Sequence, residues 1–402
     1  MHVGLVSPAW PPGLTPNGIV TCVDVLQREL LAQGHRVSIF ALRSDGQARS
    51  GVHLVEPGPT DRLRSRALRF AGRRSTVFDT GRTIASTIRR VHALEPIDVV
   101  EMEESFGWAA DVAAGTRLPV VVKLHGPAFV TMVEEELQTA FGAEKVRREG
   151  LALERSPVII APSQCTLRET VARYRLQPRV AERVVNPLAA APDLPLWDPA
   201  TCDRRSLLFV GRFDKTKGAD VLLLAFQRLL VDHPDLKLVF VGPDGGLPRS
   251  DGPNVHLPEF VAALGDRAVE RNLDYRGSLR SEDIASLRTS ALLTVIASRR
   301  ENQPYSALEA LLQACPVVCS DTSGLSELVE HGVTGLKARP EDPDDLAAQI
   351  RRLLDQPELG RSLGLAGRRH VLEHHAPAVV VRQTLDVYRR AVELAGGAGA
   401  RH

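Results

Sequence analysis

Short apolar runs alternate with longer stretches of helical periodicity along almost the whole chain. Each run is bounded by polar or glycine-rich residues, so we interpret the runs as buried strands joined by helices. Strands connected through helices run parallel, and such sheets carry helices on both faces. The chain is therefore predicted to be an α/β protein. The predicted strands lie at residues 3–7, 37–41, 52–56, 98–101, 120–123, 158–161, 183–185, 206–210, 237–241, 274–276, 292–297, 317–319 and 335–337.

The length of 402 residues exceeds what one hydrophobic core ordinarily supports and predicts two domains. Residues 188–204 are rich in alanine and proline and lack periodicity, which is typical of an interdomain linker. We accordingly predict a first domain at 1–187 and a second at 205–375. A final helix is predicted at 376–396.

A single carboxylate interrupts an apolar helical run in the second domain. Glu309 is the one charged residue between Asn302 and Ser320, and desolvating an unpaired charge is costly. Two interpretations remain open. Glu309 is either a buried acid paired to an arginine or an acceptor for the hydroxyl groups of a ligand.

The start of the same helix has the features of an anion site. Pro304 suits the first helical position, and the amides of Tyr305, Ser306 and the next residue would point out of the helix with its positive dipole end. Glu301 lies just before this start, on the other side from Glu309. A diphosphate between two sets of hydroxyl groups is the outline of a nucleotide-sugar. A helix with an N-terminal acid and no ligand is the alternative.

A second cluster favours the ligand interpretation. The apolar run 206–210 is followed by a glycine-bounded polar loop, residues 211–218, and then by a helical pattern. A strand, a loop and a helix in this order form the usual anion site of α/β proteins. Arg212 can bind a diphosphate through its planar fork, and Lys217 can add a movable charge.

These motifs resemble those of a known family. The pattern G-R-x-x-x-x-K-G at 211–218, followed about ninety residues later by E-x7-E at 301–309, is similar to the retaining glycosyltransferases of family 4. The resemblance extends over nearly the whole chain. It implies the GT-B fold, with two Rossmann-like domains whose parallel sheets face each other across a cleft. The first domain would bind the acceptor, the second the nucleotide-sugar, and the final helix would cross back to the first domain.

The resemblance also implies roles for residues of the second domain. Glu309 would accept hydrogen bonds from the ribose, and the backbone at Gly277 and Leu279 would lie by the base. Arg212, Lys217 and the helix start formed by Pro304, Tyr305 and Ser306 would hold the diphosphate. Glu301 would bind hydroxyls of the donor sugar, and Gln303 would bear on the choice of that sugar.

Two residues of the first domain belong to the same implied site. Gly18, in Asn17-Gly18, would let a loop approach the phosphates, although the family more often has a glycine pair there. His125 follows an apolar strand and would line the reaction centre beside the donor sugar. A histidine bonded to nearby backbone is the alternative at this position. The expected catalytic residues are His125, Arg212, Lys217 and Glu301.

Composition narrows the function classes. A formal net charge of +1 gives no field that attracts nucleic acid, and no apolar stretch is long enough to span a bilayer. The first residues predict a strand rather than a signal peptide, and five cysteines without a CxxC pair are expected to be reduced thiols. We therefore expect a cytoplasmic enzyme. No metal-ligand cluster is visible in the sequence, so neither a metal nor a cofactor is expected.

The substrates are less constrained. The expected reaction is hexosyl transfer from a UDP-linked sugar to a hydroxyl of a small molecule such as a secondary metabolite. A lipid or polysaccharide acceptor, a nucleotide-sugar 2-epimerase and a non-catalytic nucleotide-sugar sensor are the alternatives. The arginine-rich stretch 61–92 could contact a membrane surface, but a solvated loop and helix is the interpretation we favour. The sequence does not indicate an oligomeric state.

Overall fold

The computed structural model describes residues 1–15, 17–58, 77–249 and 252–399. These residues form two compact units. The first unit contains residues 1–132, 136–187 and the chain from Pro377 on, and the second contains 133–135 and 188–376. Much of the arginine-rich stretch 61–92 lies outside the described residues. No helix in the described ranges is long and apolar enough to cross a membrane.

The first unit is built on a parallel sheet of seven strands in the order β3-β2-β1-β4-β5-β6-β7. Its strands are β1 His2–Ser7, β2 Arg36–Ala41, β3 Val52–Leu54, β4 Val99–Glu103, β5 Val120–Lys123, β6 Val158–Ala161 and β7 Val180–Arg183. The central strands are buried along their whole length, as expected of a sheet covered on both faces.

The last strand of the first sheet begins earlier in the chain than predicted. The sequence indicated a strand at 183–185, whereas β7 runs from Val180 to Arg183 and pairs with β6 in the register Val158↔Val180. The apolar pair Val184 and Val185 misled the prediction, since both are buried just beyond the strand end. The Val184 amide donates to the Ala161 carbonyl at 2.9 Å.

Helices flank the first sheet. In the described residues before position 188 they are α1 Gly18–Ala32, α2 Thr80–Leu94, α3 Trp108–Thr116, α4 Ala128–Thr131, α5 Glu134–Leu137, α6 Ala140–Glu154 and α7 Gln164–Tyr174. The final helix of the chain, α16 Pro377–Gly399, also belongs to the first unit. Its fully buried Tyr388 donates a hydrogen bond of 2.8 Å to Glu101 on β4. This bond attaches the end of the chain to the first sheet.

The second unit has a parallel sheet of six strands in the order β10-β9-β8-β11-β12-β13. Its strands are β8 Asp203–Val210, β9 Lys237–Val241, β10 Leu273–Gly277, β11 Ala291–Ile296, β12 Val317–Ser320 and β13 Leu336–Ala338. Its helices are α8 Ala219–Asp232, α9 Leu257–Ala263, α10 Arg267–Asn272, α11 Ser281–Ser290, α12 Tyr305–Leu312, α13 Ser323–Leu328, α14 Pro343–Asp355 and α15 Pro357–His374.

The chain that leads into the second sheet packs against this unit. Leu188 donates its amide to the His375 carbonyl at 2.9 Å. Trp197 is 6% exposed, and its indole Nε1 donates to the Ala291 carbonyl at 2.8 Å. These contacts explain why a stretch without periodicity is nevertheless ordered.

Candidate active site

Four loops, three of which carry candidate residues, meet at one edge of the second sheet. Residues 211–218 follow β8, 242–247 follow β9, 277–279 end β10, and 298–304 follow β11. These four strands are neighbours, and parallel strands place their carboxyl ends at one edge. The fold therefore brings together segments that lie up to about ninety residues apart in the sequence.

The loop between β8 and α8 is organised by Asp214. Its carboxylate accepts the Lys217 amide at 2.7 Å and the Arg212 Nε at 2.6 Å. The Arg212 side chain is 57% exposed, so its remaining guanidinium donors face solvent. Sequence reasoning missed Asp214, although a carboxylate two residues after an arginine was a visible signal.

Lys217 and Glu301 form the central contact of the site. The Lys217 ammonium lies 2.5 Å from Glu301 Oε1, which also accepts the Ser298 hydroxyl at 2.8 Å. The two side chains are 27% and 11% exposed, so the pair is partly desolvated. The structure thus joins two predicted catalytic residues from different loops and adds Ser298, which the sequence did not identify.

A glycine makes this contact sterically possible. Gly218 precedes α8 with φ of +64°, and a Cβ at this position would lie 2.0 Å from the Ala297 carbonyl oxygen. Only glycine lets the loop after β8 approach the end of β11 so closely. Lys217 is thereby held beside the loop that carries Glu301.

The start of α12 differs in detail from the prediction. Pro304 is the N-cap in an extended conformation and is not the first helical residue. The Ala307 amide is also engaged, since it donates to the Pro304 carbonyl at 3.1 Å in a tight turn, as Leu308 does at 3.3 Å. Among the described residues, the Ser306 amide has no acceptor. Of the amides predicted to face an anion, that of Ala307 is therefore engaged, whereas that of Ser306 stays open to one.

A glycine contact holds the segment before α12 in place. The Gly324 amide donates to the Glu301 carbonyl at 2.9 Å. A Cβ on Gly324 would lie only 1.3 Å from the Asn302 carbonyl oxygen. Asn302 and the candidate donor-site residue Gln303 are buried, at 4% and 8% exposure. The segment that carries Glu301 is consequently supported by the start of α13.

Glu309 pairs with Arg288 on α11. Arg288 Nη2 donates to Glu309 Oε2, and Arg288 Nη1 lies 3.5 Å from Gln313 Oε1. The Arg288 side chain is 3% exposed, whereas that of Glu309 is 35% exposed. The ion-pair interpretation of Glu309 is therefore realised. Its exposed fraction still leaves carboxylate surface for a hydroxyl group.

Gly277 and Leu279 lie at the end of β10. Gly277 has φ of +61°, and its carbonyl accepts the Gly242 amide at 2.8 Å. Leu279 is partly buried against Leu208 and Val241. The two residues form one side of the same sheet edge as Arg212 and Lys217.

The two remaining candidates, Gly18 and His125, belong to the first unit. Gly18 is the exposed first residue of α1, and the Asn17 side chain caps this helix by accepting the Ile19 amide at 2.8 Å. His125 follows β5. Burial lowers the pKa of His125 well below its ordinary value, with a further contribution from the Lys123 charge. The imidazole is therefore neutral at physiological pH.

Buried glutamates hold the loop that carries His125. Glu104 is 1% exposed and accepts the amides of His125 and Gly126, both at 2.8 Å. Glu149 is fully buried and accepts the Ala128 amide at 2.8 Å. Three amides of one short segment are thus bonded to two glutamate side chains. Sequence reasoning missed both acids because they lie more than twenty positions away from the loop.

Replacing Glu104 with glutamine should impair turnover. Glutamine offers one acceptor oxygen in place of two, so one loop amide loses its partner, which costs about 1–3 kcal/mol in a buried site. If His125 lies at the reaction centre, as the family resemblance implies, its displacement should lower kcat by about tenfold or more, since small misplacements at such a centre are costly. Affinity for the free nucleotide should stay unchanged. Glu103→Gln, a buried neighbour that accepts from Ser105, is the matched control. A wild-type kcat in Glu104→Gln would contradict the assigned role.

The buried side chain of Glu149 makes the free energy of unfolding depend on pH. Burial raises its pKa from 4.5 to about 8. Between these two pKa values the folded protein keeps a proton on Glu149 that the unfolded chain has released. The free energy of unfolding therefore falls as the pH rises towards about 8. Glu149→Gln stays neutral, so its free energy of unfolding should improve relative to wild type between about pH 5 and about pH 8. Urea unfolding of both proteins across this range measures the difference. A pH-independent difference would exclude the raised pKa.

Two family models match the chain, one in each half. Residues 16–188 match Glycosyltransferase Family 4, and residues 200–370 match Glycosyl transferases group 1. Together with the two parallel α/β units, these matches define the protein as an enzyme of the glycosyltransferase class. The chain belongs to glycosyltransferase family 4 and has the GT-B fold, as its motifs predicted.

Whole-chain relatives agree with this assignment. The chain is 29% identical to a D-inositol 3-phosphate glycosyltransferase of Nocardioides sp., over 96% of this chain and 88% of the relative. Among solved structures, sucrose-phosphate synthase from Thermosynechococcus elongatus superposes with a TM-score of 0.74 at 22% identity, over 97% of this chain and 98% of the other. HepE of Anabaena in complex with UDP-glucose superposes with a TM-score of 0.71 at 16% identity, over 97% and 100%.

Proposed function

We propose that the protein is a retaining, metal-independent hexosyltransferase that moves a sugar from a UDP-linked donor to a hydroxyl group of a small acceptor. The observation that carries the proposal is the contact of Lys217 with Glu301 beside the start of α12. The Lys217 ammonium can bind phosphate, and the Glu301 carboxylate can bind sugar hydroxyls. The two groups are directly hydrogen-bonded to each other.

The donor site is assembled from the second unit. The Ser306 amide, the Arg212 guanidinium and the Lys217 ammonium bind the diphosphate, because each presents a donor at the carboxyl edge of the sheet. Glu309, oriented by Arg288, accepts from the ribose hydroxyls. Glu301, oriented by Ser298, accepts from hydroxyls of the donor sugar.

The same groups lower the activation barrier of sugar transfer. As the bond between the anomeric carbon and the phosphate oxygen breaks, negative charge develops on the leaving diphosphate. Arg212 and Lys217 stabilise this charge, so no metal ion is required. The acceptor oxygen bonds to the anomeric carbon on the same face. Its proton passes to the leaving phosphate, and the products are the glycoside and UDP. His125, to which the family resemblance assigns a catalytic role, belongs to the first unit.

The substrate classes rest on the relatives. The UDP-linked donor is supported by HepE, whose structure contains UDP-glucose. A small polar acceptor is supported by the names of two relatives, which refer to inositol phosphate and sucrose phosphate. Metabolite acceptors of similar size, including secondary metabolites, fit the same class.

A two-stage experiment tests this function. Thermal shifts with UDP-, GDP-, ADP- and TDP-sugars identify the donor, since a ligand that binds only the folded state raises the melting temperature. Mass spectrometry with candidate acceptors then detects the glycoside, and NMR of the anomeric centre reports its configuration. We expect a UDP-sugar to stabilise the protein and the product to keep the donor configuration. Conversion of the donor without an acceptor would indicate an epimerase instead, and binding without turnover would indicate a sensor.

A further inference from the structure

The first unit contains a cavity that the proposed reaction does not use. Its volume is about 760 Å³, within the range of small-molecule sites. The walls are mostly apolar and come from α3, the amino ends of β5 and β6, and the end of α16. Leu394 of α16 lines the cavity and is 36% exposed, so an apolar side chain faces this space.

The cavity lies away from the candidate active site of its unit. It is lined by Val120 and Val158, the first residues of β5 and β6. His125 follows the opposite, carboxyl end of β5. Reactants of α/β enzymes bind at the carboxyl ends of the strands, so an occupant of this cavity would not be a reactant.

Two arginines line the cavity where the walls become polar. Arg155 follows α6, and Arg179 immediately precedes β7. The pairing of β6 with β7, in which the Val180 amide donates to the Pro157 carbonyl at 3.0 Å, brings their backbones to the same edge of the sheet. Within the described part of the chain, neither guanidinium has a carboxylate or hydrogen-bond partner. Two unpaired cations on one cavity favour an anion.

We propose that this cavity binds a free anionic amphiphile, with a single carboxylate or phosphate head on an apolar body. The head would bond to Arg155 and Arg179, since guanidinium groups fit such heads with paired hydrogen bonds. The apolar body would cover Leu394 and the alanine-rich face of α3. A neutral apolar molecule would bury the same surface without using either arginine.

Calorimetry on the full-length protein tests the proposal with dodecanoate as the probe, below its micelle concentration, and dodecanol as the neutral comparison. Dodecanoate should bind at one saturable site, and dodecanol at least about tenfold more weakly, since hydrogen bonds to a charged head are stronger than those to a neutral one. Arg155→Gln/Arg179→Gln should weaken dodecanoate at least about tenfold and leave dodecanol unchanged. Arg168→Gln/Arg183→Gln, which removes the same charge elsewhere on the first unit, should bind as wild type.

A cavity-filling variant gives an independent measure. Ala113 lines the cavity on an exposed part of α3, so Ala113→Trp should occupy the space and abolish binding of both probes without unfolding the protein. Sugar transfer should persist in all these variants. Absence of dodecanoate binding by wild type, or equal binding by the Arg155/Arg179 and control double variants, would overturn the proposal. Binding to anionic phospholipid vesicles without binding of monomeric dodecanoate would also overturn it, in favour of a membrane surface.

Discussion

Lys217→Ala should lower kcat for sugar transfer by about 10²–10³-fold while the protein stays folded, because removing one preorganised donor from a developing anion typically has this effect. The ammonium lies 2.5 Å from Glu301, so its position is held before any phosphate is bound. The Lys217 ammonium lies at the partly exposed end of a side chain that is 27% exposed, so its loss should leave the protein folded. Arg212→Ala should act in the same direction.

The control for this prediction is Lys237→Ala. Lys237 is an exposed lysine at the amino end of β9, on the edge of the sheet opposite the candidate site. Steady-state kinetics of the three variants and their thermal melts separate a catalytic role from a structural one. Near wild-type turnover in Lys217→Ala would remove it from the catalytic machinery.

Replacing Glu309 with alanine should lower the free energy of unfolding. Glu309→Ala leaves the Arg288 guanidinium, which is 3% exposed, without its carboxylate. Breaking a buried pair from one side costs about 3–5 kcal/mol, and the 35% exposure of Glu309 places the expected loss near the lower end. Urea unfolding, followed through the transition of the second unit, measures this loss.

A double variant tests whether the uncompensated Arg288 charge causes this loss. Arg288→Met/Glu309→Leu should recover much of the lost free energy, because no uncompensated charge remains. The exposed pair Arg389–Asp386 is the control, and its removal should cost less than about 1 kcal/mol. If Glu309→Ala were as stable as wild type, the ion pair would be unimportant for the fold.

The same variant tests ligand recognition. Glu309 is proposed to accept from the ribose, so wild type should bind UDP more tightly than 2′-deoxy-UDP. Glu309→Ala should bind both nucleotides alike, at a temperature where it is fully folded. An unchanged preference for the ribonucleotide would remove Glu309 from ribose recognition while leaving its structural role intact.

The sequence predicted the sheets better than the supports of the site. Buried parallel strands are continuous apolar runs, so the sequence pattern alone identified β1, β5 and β6. The displaced strand at β7 shows the limit, because two buried valines beyond a strand end look like part of it. Lys217 and Glu301 were recognised because each lies in a short local motif.

Long-range partners left no comparable signal. Arg288, Ser298 and Gly324 act on residues in other segments or through backbone contacts, and no local spacing identifies such pairs. Glu104 and Glu149 looked like ordinary acidic residues until the fold placed them against the amides of the His125 loop. The turn that makes Pro304 an N-cap depends on the hydrogen bonds of Ala307 and Leu308, which the sequence does not specify.

A crystal structure of the protein with UDP would show where the diphosphate binds. We predict that the diphosphate lies at the start of α12, with the Ser306 amide, Lys217 and Arg212 at hydrogen-bonding distance and the ribose beside Glu309. A nucleotide bound elsewhere, or a diphosphate that touches none of these groups, would contradict the account.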